Sequence, residues 1–364
     1  MKIQEIVSFL ESLAHPSLQE GYDNSGLLIG SPDWDCSGVL VSLDTTEEVV
    51  AEAVAKNCNL IVSHHPLIFR GLKKINGHTY TERTVIAAIK NDIAIYAIHT
   101  NLDNVIDGVN GQVARKLELQ QCRVLDEKKQ VFKKLYTFVP LAQVEAVRTA
   151  LFETGAGHID QYSECSFAAE GIGTFRAEEG TSPFVGKVGE RHYEKEQKIE
   201  IIFPAYLEAK MIRSLIDAHP YEEVAYDIIS LSNSSPRFGS GIVGTLPQPV
   251  DEQAFLQRLK DVFHTPVIRH TALQGKPVEK VAVCGGAGSF LISNALAAGA
   301  QVYITADMKY HEFFDAENQI IIADVGHFES EQFTIDLLRD ILEQKFPTFA
   351  VLKTGLKTNP VHYF

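Results

Sequence analysis

The chain has 364 residues, of which 45% are apolar and 22% charged, a balance that excludes a disordered polypeptide. It exceeds the roughly 250–300 residues at which a single core stops growing, so two domains are expected. The 33 Lys and Arg against 47 Asp and Glu leave a net charge of −14, which argues against generic binding to nucleic acid or to anionic membranes. The five cysteines (Cys36, Cys58, Cys122, Cys165, Cys284) are odd in number and contain no C-x-x-C pair. Neither a disulfide framework nor a thiolate zinc site is indicated, and a reducing, cytoplasmic setting is expected.

At the start, Ile3, Ile6 and Leu10 recur at helical spacing with Glu5 and Glu11 among them, which predicts an amphipathic helix rather than a secretory leader. No run of 18 apolar residues follows anywhere, so no membrane span is expected. Buried strands are predicted over 39–43, 60–63 and 93–98, with helices over 47–56 and 84–90. The last third repeats the theme, with strands over 281–284, 302–305 and 320–324 and helices over 289–298, 310–316 and 330–344. Strands alternating with helices predict a layered α/β fold with a largely parallel sheet. Val39 and Leu60 begin strands 21 residues apart, as do Val281 and Val302. Either an internal duplication or βαβ geometry alone gives that spacing.

The middle reads differently. Strand 132–139, helix 141–154, strand 161–168, strand 198–203, helix 205–218 and strand 223–229 form a βαββαβ series, the ferredoxin-like unit. A long Gly-rich loop is expected over 171–189, and Asn233-Ser234-Ser235-Pro236 has a linker's composition. The expected organisation is an α/β core, 1–130 plus 232–364, with an inserted α+β domain, 131–231.

Leu60-Ile61-Val62-Ser63 runs into His64-His65-Pro66, so two histidines end a buried strand. Open α/β sheets place ligands outside the carboxyl ends of their strands. Taken alone, by composition, the pair reads more readily as two surface histidines in a loop. Two more strand ends carry similar residues: His99-Thr100-Asn101-Leu102-Asp103 follows 93–98, and His327-Phe328-Glu329-Ser330-Glu331 follows 320–324. On a helix, His327 and Glu331 would share one face, as a metal-binding pair or as an ordinary solvated one. Asp103 could equally cap a helix beyond Val105. Together, imidazoles and carboxylates at three strand ends suit Zn, Mn, Fe or Co. Five such side chains with one bridging carboxylate suffice for two metals about 3.5–4 Å apart.

These residues resemble the Nif-three-like family, the type 2 homologues of GTP cyclohydrolase I. The resemblance rests on Tyr22-Asp23-Asn24-Ser25-Gly26-Leu27-Leu28-Ile29-Gly30, Ser42-Leu43-Asp44, Ser63-His64-His65-Pro66 and His99-Thr100-Asn101-Leu102-Asp103. It continues through Gly285-Gly286-Ala287-Gly288, Ile304-Thr305-Ala306-Asp307-Met308-Lys309-Tyr310-His311 and the His327/Glu331 segment. The resemblance implies a site for two divalent metals, zinc first, with His64, His65, Asp103, His327 and Glu331 as ligands and Glu331 as the bridge. It also implies a toroidal homohexamer with the sites facing an internal cavity. His219-Pro220-Tyr221-Glu222-Glu223 and Gly171-Ile172-Gly173-Thr174-Phe175-Arg176 are similar to the inserts of longer bacterial members, which resemble the PII and CutA folds.

Asp44, Asn24 and His99 are candidates to orient metal-bound imidazoles, because such rings need partners on their other nitrogen. Asp307 and His311 are candidates for a substrate or orienting role, against local capping. Gly285-Gly286-Ala287-Gly288-Ser289 has two readings, a phosphate-receiving turn or a tight turn with close packing. The expected function is metal-dependent hydrolysis of a small, nucleotide-like substrate, with Glu331 as the candidate catalytic carboxylate. The alternative is a regulatory or scaffold protein that senses a small ligand through the insert.

Overall fold

The computed structural model describes residues 1–364, which form two compact units, Met1–Glu127 with Pro236–Phe364 and Lys128–Ser235. The first unit is a mixed α/β structure built on two sheets.

One sheet has five strands in the order Gly26–Ile29, Ala94–Ala97, Leu60–Ser63, Val39–Ser42, Val351–Lys353. All but Gly26–Ile29 are parallel. The three central strands are buried along their whole length, as expected where crossover helices cover both faces of a parallel sheet. Leu40, Ile61 and Ile95 face Val49, Val50, Ala53, Val85 and Ala88 of the helices Glu47–Ala55 and Tyr80–Lys90. The second helix starts four residues before the expected 84, because the Thr79 hydroxyl accepts from the Glu82 N–H and caps it.

The other sheet has six strands in the order Arg269–His270, Ile321–Asp324, Val302–Ala306, Val278–Ala287, Ser234–Val250, Gln120–Lys129. Its alternation is regular: Val281, Val283, Val302, Ile304 and Ile321 pack on Phe255, Leu259 and Phe263 of the helix Glu252–Phe263. Ala282, Cys284, Tyr303 and Ile322 face Leu291, Ile292 and Ala295 on the opposite side. In each sheet the 21-residue spacing is the register itself: Val39 pairs with Leu60, and Val281 with Val302.

Several expected boundaries move. The stretch 233–236 is no free linker; a strand already begins at Ser234 and runs to Val250 despite three prolines, with a register shift between Thr245 and Val250 that absorbs two of them. The expected helix over 330–344 is two helices, His327–Glu331 and Thr334–Lys345, and 310–316 is a 3-10 helix. All five cysteines are free, and no helix is long and apolar enough to cross a membrane.

In the second unit, the strands Phe132–Pro140, Ser166–Arg176, Arg191–Pro204 and Tyr226–Ser230 alternate with the helices Val144–Glu153 and Glu208–Ala218. The sheet is antiparallel, with Ser166–Arg176 at one edge, then Arg191–Pro204, Phe132–Pro140 and Tyr226–Ser230. That is the strand order of a βαββαβ unit. Leu135, Val139, Ile199, Ile201 and Phe203 pack on Val147, Leu151, Met211 and Leu215 of its two helices. The expected loop over 171–189 is shorter than its composition suggests. Gly171–Arg176 continue the strand in register with Arg191–Glu196, so glycines that read as a loop are the far end of a long hairpin.

Candidate metal centre

The carboxyl ends of both sheets in the first unit meet around one cluster of imidazoles and carboxylates. His64 and His65 follow the strand Leu60–Ser63, and His99 follows Ala94–Ala97. Asp103 ends the short helix Thr100–Asp103, while His327 and Glu331 lie on His327–Glu331, just past the strand Ile321–Asp324.

Each imidazole is held from outside by an oxygen on Nδ1, which aims Nε2 inward. His64 Nδ1 donates to the Ile98 carbonyl at 2.8 Å. His65 Nδ1 donates to Asp44 at 2.7 Å, and Asp44 in turn accepts from the Thr358 hydroxyl at 2.6 Å. His327 Nδ1 donates to Asp307 at 2.8 Å, and His99 Nδ1 to Asp23 at 2.7 Å. Asp307 reaches His327 from a left-handed backbone, φ 55°.

Glu331 stands at the centre, 2% exposed, with its two oxygens facing different partners. Oε2 lies 2.9 Å from His65 Nε2 and 3.1 Å from His327 Nε2, and those two nitrogens are 3.3 Å apart. Oε1 lies 3.8 Å from His64 Nε2, which is 3.6 Å from Asp103 Oδ1. His99 is the fourth ring of the cluster, 5.3 Å from His64 and 5.4 Å from His65 between centroids.

Two atoms make this arrangement costly as protein alone. His64 Nε2 and Asp103 Oδ1 are buried and have no hydrogen-bond partner. An unsatisfied buried polar atom costs about 1–3 kcal/mol, and two that face each other beside a buried carboxylate form a donor set that a cation could satisfy. The protonation of the cluster agrees. Burial opposes a charge on His65 and His327, yet Glu331, with Asp44 and Asp307 behind, raises them to about 10 and about 11. Burial and the nearby Glu331 charge push Asp103 well above the usual carboxylate range. Burial would raise Glu331 too, but the two imidazoliums hold it well below its ordinary value. Protons thus occupy positions where a metal would supply the positive charge. A donor set of four imidazoles and two carboxylates suits a divalent first-row metal.

The glycine turn resolves to close packing. The N–H groups of Gly285, Gly286 and Gly288 donate to Asn110, Ser330 and Thr305, leaving none of the three for a phosphate. Gly286 has φ 64°, and a Cβ there would collide with Glu331 Oε1, so this glycine makes room for the central carboxylate.

The structure thus brings together His64, His65, Asp103, His327 and Glu331, with Asp44, His99 and Asp307 around them. It does not bring His311, which is exposed on the 3-10 helix and packs on Tyr310 and Phe314. Asn24 donates to the Ile68 carbonyl at 2.6 Å and fixes a loop instead of an imidazole. The carboxylate that does orient His99 is its neighbour Asp23, held low by the His99 and Thr100 hydrogen bonds despite partial burial. The capping alternative for Asp103 fails, because the next helix, Val109–Lys116, has Gly108 at its cap.

A family model described as Duf34/NIF3 (NGG1p interacting factor 3) matches residues 1–360. The chain belongs to the DUF34/NIF3 family. A Bacillus subtilis relative named GTP cyclohydrolase 1 type 2 homolog is 39% identical over 327 residues, covering 89% of this chain and 88% of the relative. One of the same name from Halalkalibacterium halodurans is 38% identical over 362 residues, covering 98% and 97%. The crystal structure of a Bacillus cereus protein related to NIF3 matches with a TM-score of 0.86 at 38% identity, covering 100% of this chain and 99% of that one. The DUF34/NIF3 match spans both sheets and the segment between them.

Proposed function

We propose that this chain is a dinuclear metal-dependent hydrolase of small substrates. The observation that carries the reading is the division of Glu331. One oxygen faces His65 and His327 and the other faces His64, which Asp103 adjoins, so one carboxylate stands between two adjacent donor sets. A metal pair held there would polarise a phosphoryl or carbonyl oxygen and lower the pKa of water.

The chain's own part is positioning. A cavity of about 380 Å³ opens on the cluster from one side and another of about 400 Å³ from the other, with His65 and His327 in both walls. These volumes suit a molecule of nucleotide size or less, not a polymer. The Tyr22 and Phe69 rings, 6.2 Å apart, offer a flat substrate an apolar edge at the first opening. That cavity is lined by Glu20, Asp103 and Glu331 and by no Lys or Arg. An anionic substrate would therefore depend on the cations of the centre for its attraction. Zinc fits the donors best among the candidates, with manganese, iron or cobalt as the others. The reading extends to a toroidal homohexamer in the cytoplasm, with the second unit as an inserted, PII/CutA-like module.

The test is a panel of nucleotides, phosphoesters and cyclic amides assayed on zinc- and manganese-reconstituted protein. Turnover that is lost with chelation and with Glu331→Gln supports the proposal. Metal-bound protein that turns over nothing in the panel counts against catalysis and favours a regulatory role.

A further inference from the structure

A separate cavity of about 760 Å³ lies within the Lys128–Ser235 unit and includes no residue of the metal cluster. Three aromatic rings build part of its wall. Tyr221 stands between Phe175 and Phe184, with centroids 6.0 and 6.3 Å away and planes inclined by 59° and 53°. Inclined rings around a common space leave a slot with several π-faces exposed to it, the arrangement that favours cations. Tyr221 is fixed at both ends. Its backbone N–H donates to His219 Nδ1 at 3.1 Å, His219 Nε2 donates to the Phe138 carbonyl at 3.0 Å, and its hydroxyl donates to Glu196 Oε1 at 2.8 Å.

Glu196 is the unusual member. It lines the cavity, is 8% exposed, and receives no cationic partner; the Tyr221 hydroxyl is its hydrogen-bond donor. Its other oxygen lies over Gly173 of the adjacent strand, where a Cβ would collide with it. Gly173 has no left-handed backbone to explain it, so the absent side chain serves that close approach. A carboxylate with one oxygen left to accept is met most strongly by a positively charged N–H donor.

The other charges leave that role open. Five glutamates line the cavity against one arginine and one lysine. The lysine, Lys198, donates to Glu200 at 2.8 Å and lies over the Tyr136 ring, 4.1 Å from its centroid. Glu222 accepts from the Ser182 N–H at 3.0 Å, which ties the loop after Arg176 to the wall carrying Tyr221.

We infer that this cavity binds a small planar organic cation with N–H donors, an amidinium or a protonated nitrogen heterocycle. Its N–H groups meet Glu196, and its face lies against Tyr221, Phe175 and Phe184. Charge-assisted hydrogen bonds to a carboxylate in a partly dry site supply the selectivity, and the rings supply area. The inference stands apart from the hydrolytic reading, because it uses no residue of the metal cluster.

The test is calorimetric titration of the full-length chain with benzamidine, its neutral analogue benzamide and the anion benzoate. Benzamidine should bind saturably at one per chain, benzamide at least tenfold more weakly, and benzoate not measurably. Glu196→Gln should weaken benzamidine at least tenfold while leaving benzamide as it was. Phe184→Ala, whose ring is about half exposed and supports no core, should weaken benzamidine without altering the melting temperature. Glu331→Gln, aimed at the metal cluster, should leave benzamidine binding unchanged. Equal affinity for benzamide, or benzamidine binding untouched by both Glu196→Gln and Phe184→Ala, would overturn the inference. So would absence of binding, including the case in which Phe184→Ala dissociates an oligomer and shows the cavity to be covered by a second copy of the chain.

Discussion

Replacing Asp103 by Asn separates a metal ligand from a structural residue. Asp103 is half-buried, but its Oδ1 is buried with no hydrogen-bond partner, and burial beside Glu331 already drives it toward the neutral form. Asn has the same shape and no charge, so the metal-free protein loses no hydrogen bond at Oδ1 and sheds a buried carboxylate. The expected change in metal-free stability is within about 1 kcal/mol of zero, where breaking a structural buried pair would cost about 3–5 kcal/mol. With metal the outcome reverses. A ligand present at a thousandfold over its Kd stabilises by about 4 kcal/mol, and that gain should fall sharply in the variant. At roughly 2–4 °C per kcal/mol for a unit of this size, the zinc-induced rise in Tm should shrink by on the order of 10 °C. Calorimetric melts with and without zinc, paired with elemental analysis, read both effects. A variant that melts much lower without metal yet keeps its full zinc would make Asp103 a structural residue and not a ligand.

Other outcomes follow from the same geometry. Gly286→Ala should lose metal while remaining folded, because a Cβ at that position displaces Glu331; elemental analysis and circular dichroism check it. Metal affinity should keep rising with pH well past the ordinary histidine range. Metal must displace protons from His65 and His327, held to about 10 and about 11 by Glu331 against burial, so each pH step up to there removes a competitor. Affinity measured with a buffered chelator that levels off near pH 7 would contradict this. Excising 128–235 with a short linker should leave a soluble, metal-binding core, since Gln120–Lys129 and Ser234–Val250 are neighbouring strands and bring the cut ends close; aggregation or loss of metal would show the segment to be integral. Light scattering should give a mass near six chains across micromolar concentrations, and a monomer would remove the proposed ring.

Much of the centre was legible because its residues lie where strands stop. His64 and His65 end an uninterrupted apolar run, and His327 and Glu331 share a helix face just past another, so local patterns located them. The oxygens that orient the rings were legible only in part. Asp44 and Asp307 follow strands of their own, but Asp23 reaches His99 from 76 residues away and the Ile98 carbonyl carries no sequence signal at all. His311 lies beside Asp307 in the chain yet faces away from the cluster, since a 3-10 turn aims its side chain toward Phe314. The fold was hardest to read where composition and conformation disagree. Three prolines and three glycines in 234–250 suggest a loop, but pairing with Val278–Ala287 holds them in a bent strand. The charged run 120–129 hides a strand at the sheet's edge, where exposed residues blur the period-two signal.

The proposed dinuclear centre requires Glu331 to join two metal sites. Anomalous diffraction at the zinc edge, on crystals of protein purified without chelator and supplied with zinc, tests it most directly. Two peaks about 3.5–4 Å apart are expected, one beside His65 and His327, the other beside His64 and Asp103, with a Glu331 oxygen on each. A single peak that Glu331 does not touch, or no peak within this cluster, would contradict it.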